Sequence, residues 1–480
     1  MRLPRNVSPW TALLVAALAA GTLLRGWVLT TPLSALDADE AITGLMARHA
    51  LDGEFSVFYW LALYGGPLEA WLTAPVFWLF GSSVEALRVV PMLLFALAGV
   101  LVWLVGRRTV GEPGARLGAA VYWIAPAYLV WWSTKARAYF ATGLVLALLA
   151  TLLLLRLRER DSRVDAAALG LVLGLAWWTM PQVAVFAVPL GAWLLWKRPA
   201  SLRLTPFAIP TFLLGAAPLL AWNVRHSWDA LLPRSVAGEE STYLGRLADL
   251  FRTILPTWLG VRLPFSLEWL VWPPVGVAIV VLAVGALLVL LLRRPAGLVP
   301  LLAVAAAFPF LYALSTHAFY VREPRYLVVF APVPALLAGW GLSRLRPAGA
   351  AIGLACVLAL SVIGLVRMER DQLPSPRGTG QPVPAGLTPL LDLLEREHVR
   401  YVLANYWIAY RISFESDERI IATSTGFVRY QPHDRLVRNS PAPARVFIAG
   451  TNGERLARPT LLARGHRRLE VGGFVVYIAR

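Results

Sequence analysis

Residues 66–80 read GPLEAWLTAPVFWLF. The run is apolar, yet it is short for a membrane span, which takes about 20 residues. It also carries Glu69, an internal Pro75 and several aromatics. Either it crosses the bilayer or it lies flat in the interface, and the choice sets the side of every later loop. The basic residues decide, because cytoplasmic loops of membrane proteins carry the excess of Lys and Arg. With the N-terminus inside and 66–80 flat on the outer side, the inner loops gather 16 basic residues against 4 acidic ones. The basic set is Arg2, Arg5, Arg107, Arg108, Arg116, Arg156, Arg158, Arg160, Arg163, Lys197, Arg198, Arg203, Arg293, Arg294, Arg344 and Arg346. The short outer loops keep only Lys135, Arg137, Arg322 and Arg325. If 66–80 spanned, every later loop would change side and the charge rule would fail repeatedly.

Eleven other apolar runs qualify as spans, at about 11–30, 84–106, 116–132, 139–155, 165–180, 183–196, 204–222, 270–292, 298–315, 326–343 and 348–366. Composition agrees. Of 480 residues 15% are charged and 58% hydrophobic, and mean hydropathy is +0.61. A soluble domain carries about 25% charged residues, which argues against a soluble enzyme. Twenty Trp suit many membrane interfaces. The net charge of +17 hints at a nucleic-acid binder, but it divides into +12 on the inner loops, +6 on the tail and −1 on the outer membrane part. The excess is a topology signal, and no nucleic acid is expected as a partner.

The expected fold is a polytopic α-helical membrane protein with about 11 transmembrane helices and a small C-terminal α/β extracytoplasmic domain. Residues 1–366 form the membrane module. It includes a first outer loop with interfacial helices (31–83) and a long outer loop (223–269), where Glu239-Glu240-Ser241-Thr242-Tyr243 reads as a lid or a solvated connection. Residues 367–480 form the outer domain. It opens on a linker with Pro374, Pro376, Gly378, Gly380, Pro382 and Pro384. An amphipathic helix over 388–397 follows, then strands near 400–403, 419–423, 445–449 and 474–478, with a helix around 407–414. The protein is expected in the cell (inner) membrane, N-terminus cytoplasmic and C-terminal domain periplasmic or extracellular.

The first outer loop is acidic: Asp37, Asp39, Glu40, Asp52, Glu54 and Glu69 stand against Arg48 alone. Asp37 or Asp39 suits the cap of a helix over 39–51, which an Asp closes by accepting backbone N–H bonds. Equally, Asp39 is a carboxylate placed at the interface to take a proton from an attacking hydroxyl or amine. The stretch FSVFYWLALYGGP (55–67) offers Tyr59, Trp60 and Tyr64 as aromatics that stack on a ligand or anchor the loop. Lys135 and Arg137 either snorkel to headgroups or hold a phosphate, for which Arg is the better bidentate partner. In the loop before 326–343, pairing of Arg322 with Glu323 would leave Arg325 as a phosphate clamp. One Cys, six His and no His-x-x-x-His spacing give no local transition-metal site. A loosely held Mg or Mn on the loop-one carboxylates stays open.

The chain resembles the GT-C superfamily of lipid-phosphate-dependent glycosyltransferases, on the bacterial branch of lipid A aminoarabinose transferases and relatives of protein O-mannosyltransferases. The residues that carry this are Asp39-Glu40 after the first span and Tyr64-Gly65-Gly66-Pro67-Leu68-Glu69-Ala70-Trp71. They also include Phe80-Gly81-Ser82-Ser83-Val84-Glu85-Ala86-Leu87-Arg88, Arg137-x-Tyr139 and Pro324-Arg325-Tyr326-Leu327. As an order of elements the similarity covers about residues 10–366. It implies a polyprenyl-phosphate sugar donor, a lipid, glycan or protein acceptor, and single displacement with inversion. It implies Asp39 and Glu40 as the catalytic pair, Arg137, Arg325 and Lys135 on the donor phosphate, and Tyr59, Trp60, Tyr64, Glu69, Tyr139 and Tyr326 lining the substrate. No cofactor is required by it. Two departures stand out: the second outer loop has Lys135 and Arg137 but no acid, and Gly65-Gly66 replaces a basic residue before Pro67. Two other classes of function compete. One is a transporter or flippase of a lipid-linked sugar, disfavoured because no internal repeat is visible and the ionisable residues avoid span centres. The other is a non-catalytic assembly partner.

Overall fold

The computed structural model describes residues 8–232, 241–373 and 383–479. Arg2, Arg5, the Glu239-Glu240 pair and the Pro374–Pro382 part of the linker lie outside the described residues. The chain is a multi-pass membrane protein. Six described helices are long and apolar enough to cross a bilayer: Pro9–Thr30, Val84–Thr109, Phe140–Glu159, Pro273–Arg293, Ala296–Leu314 and Pro347–Arg370. A bent pair, Pro199–Gly215 and Ala217–Arg225, meets at 63°. The other four expected runs form shorter helices. The 116–132 run divides into Gly111–Ile124 and Ala127–Trp132, and the rest are Arg163–Thr179, Ala184–Lys197 and Pro332–Leu342. Prolines account for the breaks at Pro126, Pro181 and Pro332, since each lacks an N–H and fixes its φ.

The 66–80 stretch forms the helix Leu68–Phe80, 13 residues with Pro75 inside. At 1.5 Å per residue it is about 20 Å long, against about 30 Å of hydrocarbon core. Loops rich in basic residues meet at one end of the bundle. There Arg156 reaches Asp165 at 2.7 Å, Arg198 reaches Asp161 at 3.0 Å, and Arg108 pairs with Glu159. Helices pack through small residues: Gly170 and Gly174 lie one turn apart, and a Cβ at Gly170 would fall 2.0 Å from the Ala208 carbonyl oxygen.

The C-terminal part is an α/β unit with strands β1 (Tyr401–Ala404), β2 (Ile421–Ser424), β3 (Ala444–Ile448), β4 (Arg467–Val471) and β5 (Phe474–Ile478). Their order is β2-β1-β3-β5-β4. β1 runs parallel to β2 and β3, and β5 runs antiparallel to β3 and β4. The β4–β5 hairpin turns on Gly472 and Gly473, both at positive φ, as a two-residue hairpin requires. β4 and the helices Gln431–Asn439 and Asn452–Ala463 were not expected from sequence. β4 reads Arg-Arg-Leu-Glu-Val, the charged pattern of an edge strand rather than of a buried one.

This unit sits on the segment that follows the first span. The helix expected over 39–51 forms as Ala38–Leu51, but it is buried nearly all round instead of lying half-exposed in an interface. It packs on Leu68–Phe80 on one side and on the C-terminal helix Tyr406–Glu415 on the other. Arg48 ties the layers together, bonding Ser82 Oγ at 2.8 Å, Asp417 at 2.9 Å and the Phe414 carbonyl at 3.1 Å. Gly44 lets the two helices approach, since a Cβ there would meet Phe414 Cε2 at 2.4 Å. Gly44→Val is therefore expected to lower stability by about 1–3 kcal/mol through overpacking. Thermal unfolding of the purified protein in detergent checks this, and an unchanged midpoint would show that the contact does not hold the unit in place.

Candidate active site

The chain leaving the first span ends in Asp37, which adopts extended backbone and caps helix Ala38–Leu51. Its side chain accepts N–H bonds from Asp39 at 3.0 Å and Glu40 at 3.1 Å. Because Asp37 takes the capping role, the Asp39 side chain is left for other partners. Arg137 grips Asp37 with both guanidinium ends, at 2.5 and 3.2 Å, and lies 3.7 Å from Asp39 Oδ2. On the other side, Tyr406 donates its hydroxyl to Asp39 Oδ1 at 2.5 Å. Tyr59 donates to the Asp39 carbonyl at 3.0 Å. Arg429 covers the Tyr59 ring at 5.2 Å and donates to the Tyr406 hydroxyl at 3.4 Å. Burial alone would raise the Asp39 carboxyl. The charges of Arg137 and Arg429, the Tyr406 bond and the charge of Arg325 outweigh it and hold the group below the usual carboxylate range.

Glu40 points the other way, with its side chain fully buried. It accepts from Arg88 at 3.1 Å, from Lys135 at 2.9 Å and from the Ala136 N–H at 3.2 Å. Burial opposes its ionisation, but Arg88 and Lys135 prevail and bring it down to about 2. Burial brings Lys135 down to about 8, against the pull of Glu40. This corrects two sequence expectations. Each Glu40 oxygen already accepts two bonds, and Lys135, also bonded to the Ala35 carbonyl at 2.5 Å, is buried against that carboxylate. Both hold the loop. It also explains Arg88, whose place at the entry to the second span carried part of the resemblance.

Other expected residues separate into groups. Arg325 pairs with Glu323 instead of leaving that acid to Arg322, whose side chain is exposed. Arg325 also lies 4.5 Å from the centre of the Tyr320 ring. The buried Nε atoms of Arg137 and Arg325 have no hydrogen-bond partner among the described residues. Tyr64, Tyr139 and Tyr326 line a cavity of about 420 Å³ with His317, Gln182 and apolar side chains such as Met180, Val185 and Leu311. Its walls come from helices Ala184–Lys197 and Val299–Leu314, so it runs between membrane helices. Arg325 and Arg429 act electrostatically on Tyr64 of this lining as they do on Asp39. Trp60 does not face the cavity. It stacks on Tyr430 of the C-terminal unit at 4.0 Å and is an interface residue. Glu69 is fully buried, outside the cavity lining, and burial holds its carboxyl well above the usual range.

Sequence reading missed Tyr406 and Arg429. Tyr406 is 367 residues from Asp39, and no local pattern ties them. The one available signal was the aromatic run Tyr406-Trp407 behind the capping residue Asn405. A Mg or Mn ion wants about six oxygen ligands. The carboxylates of Asp37, Asp39 and Glu40 are already engaged by Arg137, Tyr406, Arg88 and Lys135, so this cluster does not fit one.

Residues 65–222 match the family model of dolichyl-phosphate-mannose-protein mannosyltransferase. The membrane module with its small α/β unit shares its fold with solved ArnT structures. ArnT from Cupriavidus metallidurans, crystallised with undecaprenyl phosphate, superposes with a TM-score of 0.68 at 14% identity, covering 98% of this chain and 98% of that one. The apo form of that ArnT also gives 0.68 and 14%, covering 98% and 97%. No curated protein sequence matches the chain.

Removing one partner of a buried ion cluster strands the others. Glu40→Ala leaves Arg88 and Lys135 buried and unneutralised, and is expected to cost about 3–5 kcal/mol. A fall in the unfolding midpoint in detergent much larger than that of an exposed control such as Asp52→Ala checks this.

Proposed function

We propose that the chain is an inverting glycosyltransferase that moves a sugar from a polyprenyl-phosphate donor to a lipid, glycan or protein acceptor on the outer face of the cell (inner) membrane. The observation that carries this is Asp39 bonded by Tyr406 and faced by Arg137 and Arg429, while Tyr139 and Tyr326, close in sequence to Arg137 and Arg325, line an apolar cavity between helices. The two buried guanidinium Nε atoms without partners favour an anionic ligand, because an unsatisfied buried donor costs about 1–3 kcal/mol until it is met. The fold shared with an ArnT that binds undecaprenyl phosphate supports the donor class.

On this reading the prenyl chain lies in the cavity past Tyr139 and Tyr326, and its phosphate meets Arg137, Arg325 and Arg429. The acceptor hydroxyl or amine attacks the anomeric carbon from the side opposite the phosphate, and its proton passes to Asp39. The bond from that carbon to the phosphate oxygen breaks as the new bond forms, and the configuration inverts. The leaving lipid phosphate carries negative charge, which preorganised arginines stabilise. A weak base suffices because the leaving group is good, in keeping with an Asp39 held below its usual range. No cofactor is needed for these steps. Tyr406 and Arg429 give the outer domain a positioning role, with the N-terminus in the cytoplasm and this domain outside. A transporter is less well supported, since the ionisable cluster sits in the loops rather than near span centres.

Asp39→Asn is expected to reduce transfer by about 10²–10⁴-fold in proteoliposomes supplied with donor lipid, with lipid-phosphate binding retained. Intact transfer would sink the assignment. Because Asp39 stays ionised above its ordinary pKa of about 3.9, wild-type rates should be flat from pH 8 down to about pH 5. Tyr406→Phe removes a bond that favours the carboxylate and should move the acid limb upward. An unmoved limb would show that Tyr406 does not act on Asp39.

A further inference from the structure

At the far end of helix Ala38–Leu51, ten residues or about 15 Å along the helix from Asp39, a second polar cluster joins the loop to the C-terminal unit. His49 Nε2 lies 2.9 Å from Glu418 Oε1, and His433 Nε2 lies 2.9 Å from the same oxygen. The three ligand atoms fall within 4.8 Å of one another. His433 is buried, with a side chain 6% exposed, and Glu418 keeps 18%. The far side of His49 is also fixed: its Nδ1 lies 2.8 Å from Glu54 Oε2, and Tyr430 donates to Glu54 at 2.8 Å. Arg48 holds the other oxygen of Glu418 at 3.3 Å.

An Nδ1–H on Glu54 leaves Nε2 of a neutral imidazole as a lone pair. That lone pair then faces a carboxylate oxygen that already faces a second imidazole. A cation between the three reconciles them, and the carboxylate–imidazole contact is the usual way a metal-ligating His is oriented. Two imidazole nitrogens and one carboxylate oxygen make a donor set suited to zinc, which sits about 2.0–2.2 Å from each and completes its shell with water. To reach those distances the two 2.9 Å contacts with Glu418 widen a little and the two imidazole nitrogens draw together.

We propose that His49, Glu418 and His433 bind a zinc ion that clamps the C-terminal unit onto the first outer loop. The ion joins a helix of the membrane module to two elements of the outer unit and fixes the seating of Tyr406 and Arg429. The proposal stands apart from the glycosyltransferase reading, since none of the three ligands touches Asp39.

The test uses the full-length protein in detergent, with elemental analysis, then stripping by a chelator and titration with zinc alone while thermal unfolding is followed. One zinc per chain is expected, with a lowered midpoint after stripping that zinc restores. His433→Asn should lose the ion and the response, and Glu54→Gln should weaken zinc binding by about 10–100-fold. Asp39→Asn should bind zinc as the wild type does, which separates failure of the clamp from failure of the transferase reading. Wild-type protein that binds no zinc and shows no midpoint response would overturn the proposal and leave a protonated imidazole cluster. Equal zinc binding by His433→Asn would overturn it too, as an adventitious ion elsewhere.

Discussion

Everything at the outer end of this molecule hangs on one buried carboxylate. Glu40 is fixed by Arg88 from the second span, by Lys135 and the Ala136 N–H from the next outer loop, and by its own helix. Three chain segments meet on two oxygens. A buried charge without partners is too costly to keep, so the cluster forms complete or not at all. Once it has formed, Asp37 stands within reach of Arg137 and Asp39 is turned toward the C-terminal unit. The resemblance made Asp39-Glu40 a catalytic pair; the structure buries Glu40 in its ion pairs and turns Asp39 toward Tyr406.

The C-terminal unit is part of the candidate site rather than an appendage. Tyr406 and Arg429 reach Asp39 from a sheet-containing unit whose helix Tyr406–Glu415 packs on the buried helix Ala38–Leu51. Close approach at Gly44 and the Arg48 bonds set the distance between the layers. The electrostatics around Asp39 thus depend on domain docking, and a clamp at His49 would act on the same geometry from the other end of that helix.

Much of the architecture was legible because it rests on local, periodic signals. Apolar run length marked the helices, and the spread of Arg and Lys marked which loops share an end. The Asp-Glu step after the first span marked the loop worth attention. Where sequence reading went astray, the cause was tertiary. Helix Ala38–Leu51, expected in an interface, is covered on a second side by helix Tyr406–Glu415. Arg325 rather than Arg322 takes Glu323, because the backbone turns between them. Trp60, open between stacking on a ligand and anchoring the loop, stacks on Tyr430 in a unit more than three hundred residues later.

By itself, then, the sequence determined the membrane class, the α/β tail, and Asp39, Arg137 and Arg325 as charges of the loops between spans, since hydropathy, charge bias and residue chemistry are properties of short stretches. Only the tertiary structure decided which of those charges are spent on one another and which remain for a ligand. It alone brought Tyr406 and Arg429 to Asp39 and set His49 beside His433, though no metal spacing exists along the chain. The physical reason is that Coulomb energy and hydrogen bonding depend on distance in space and on the water excluded around them, and neither is written in the order of residues.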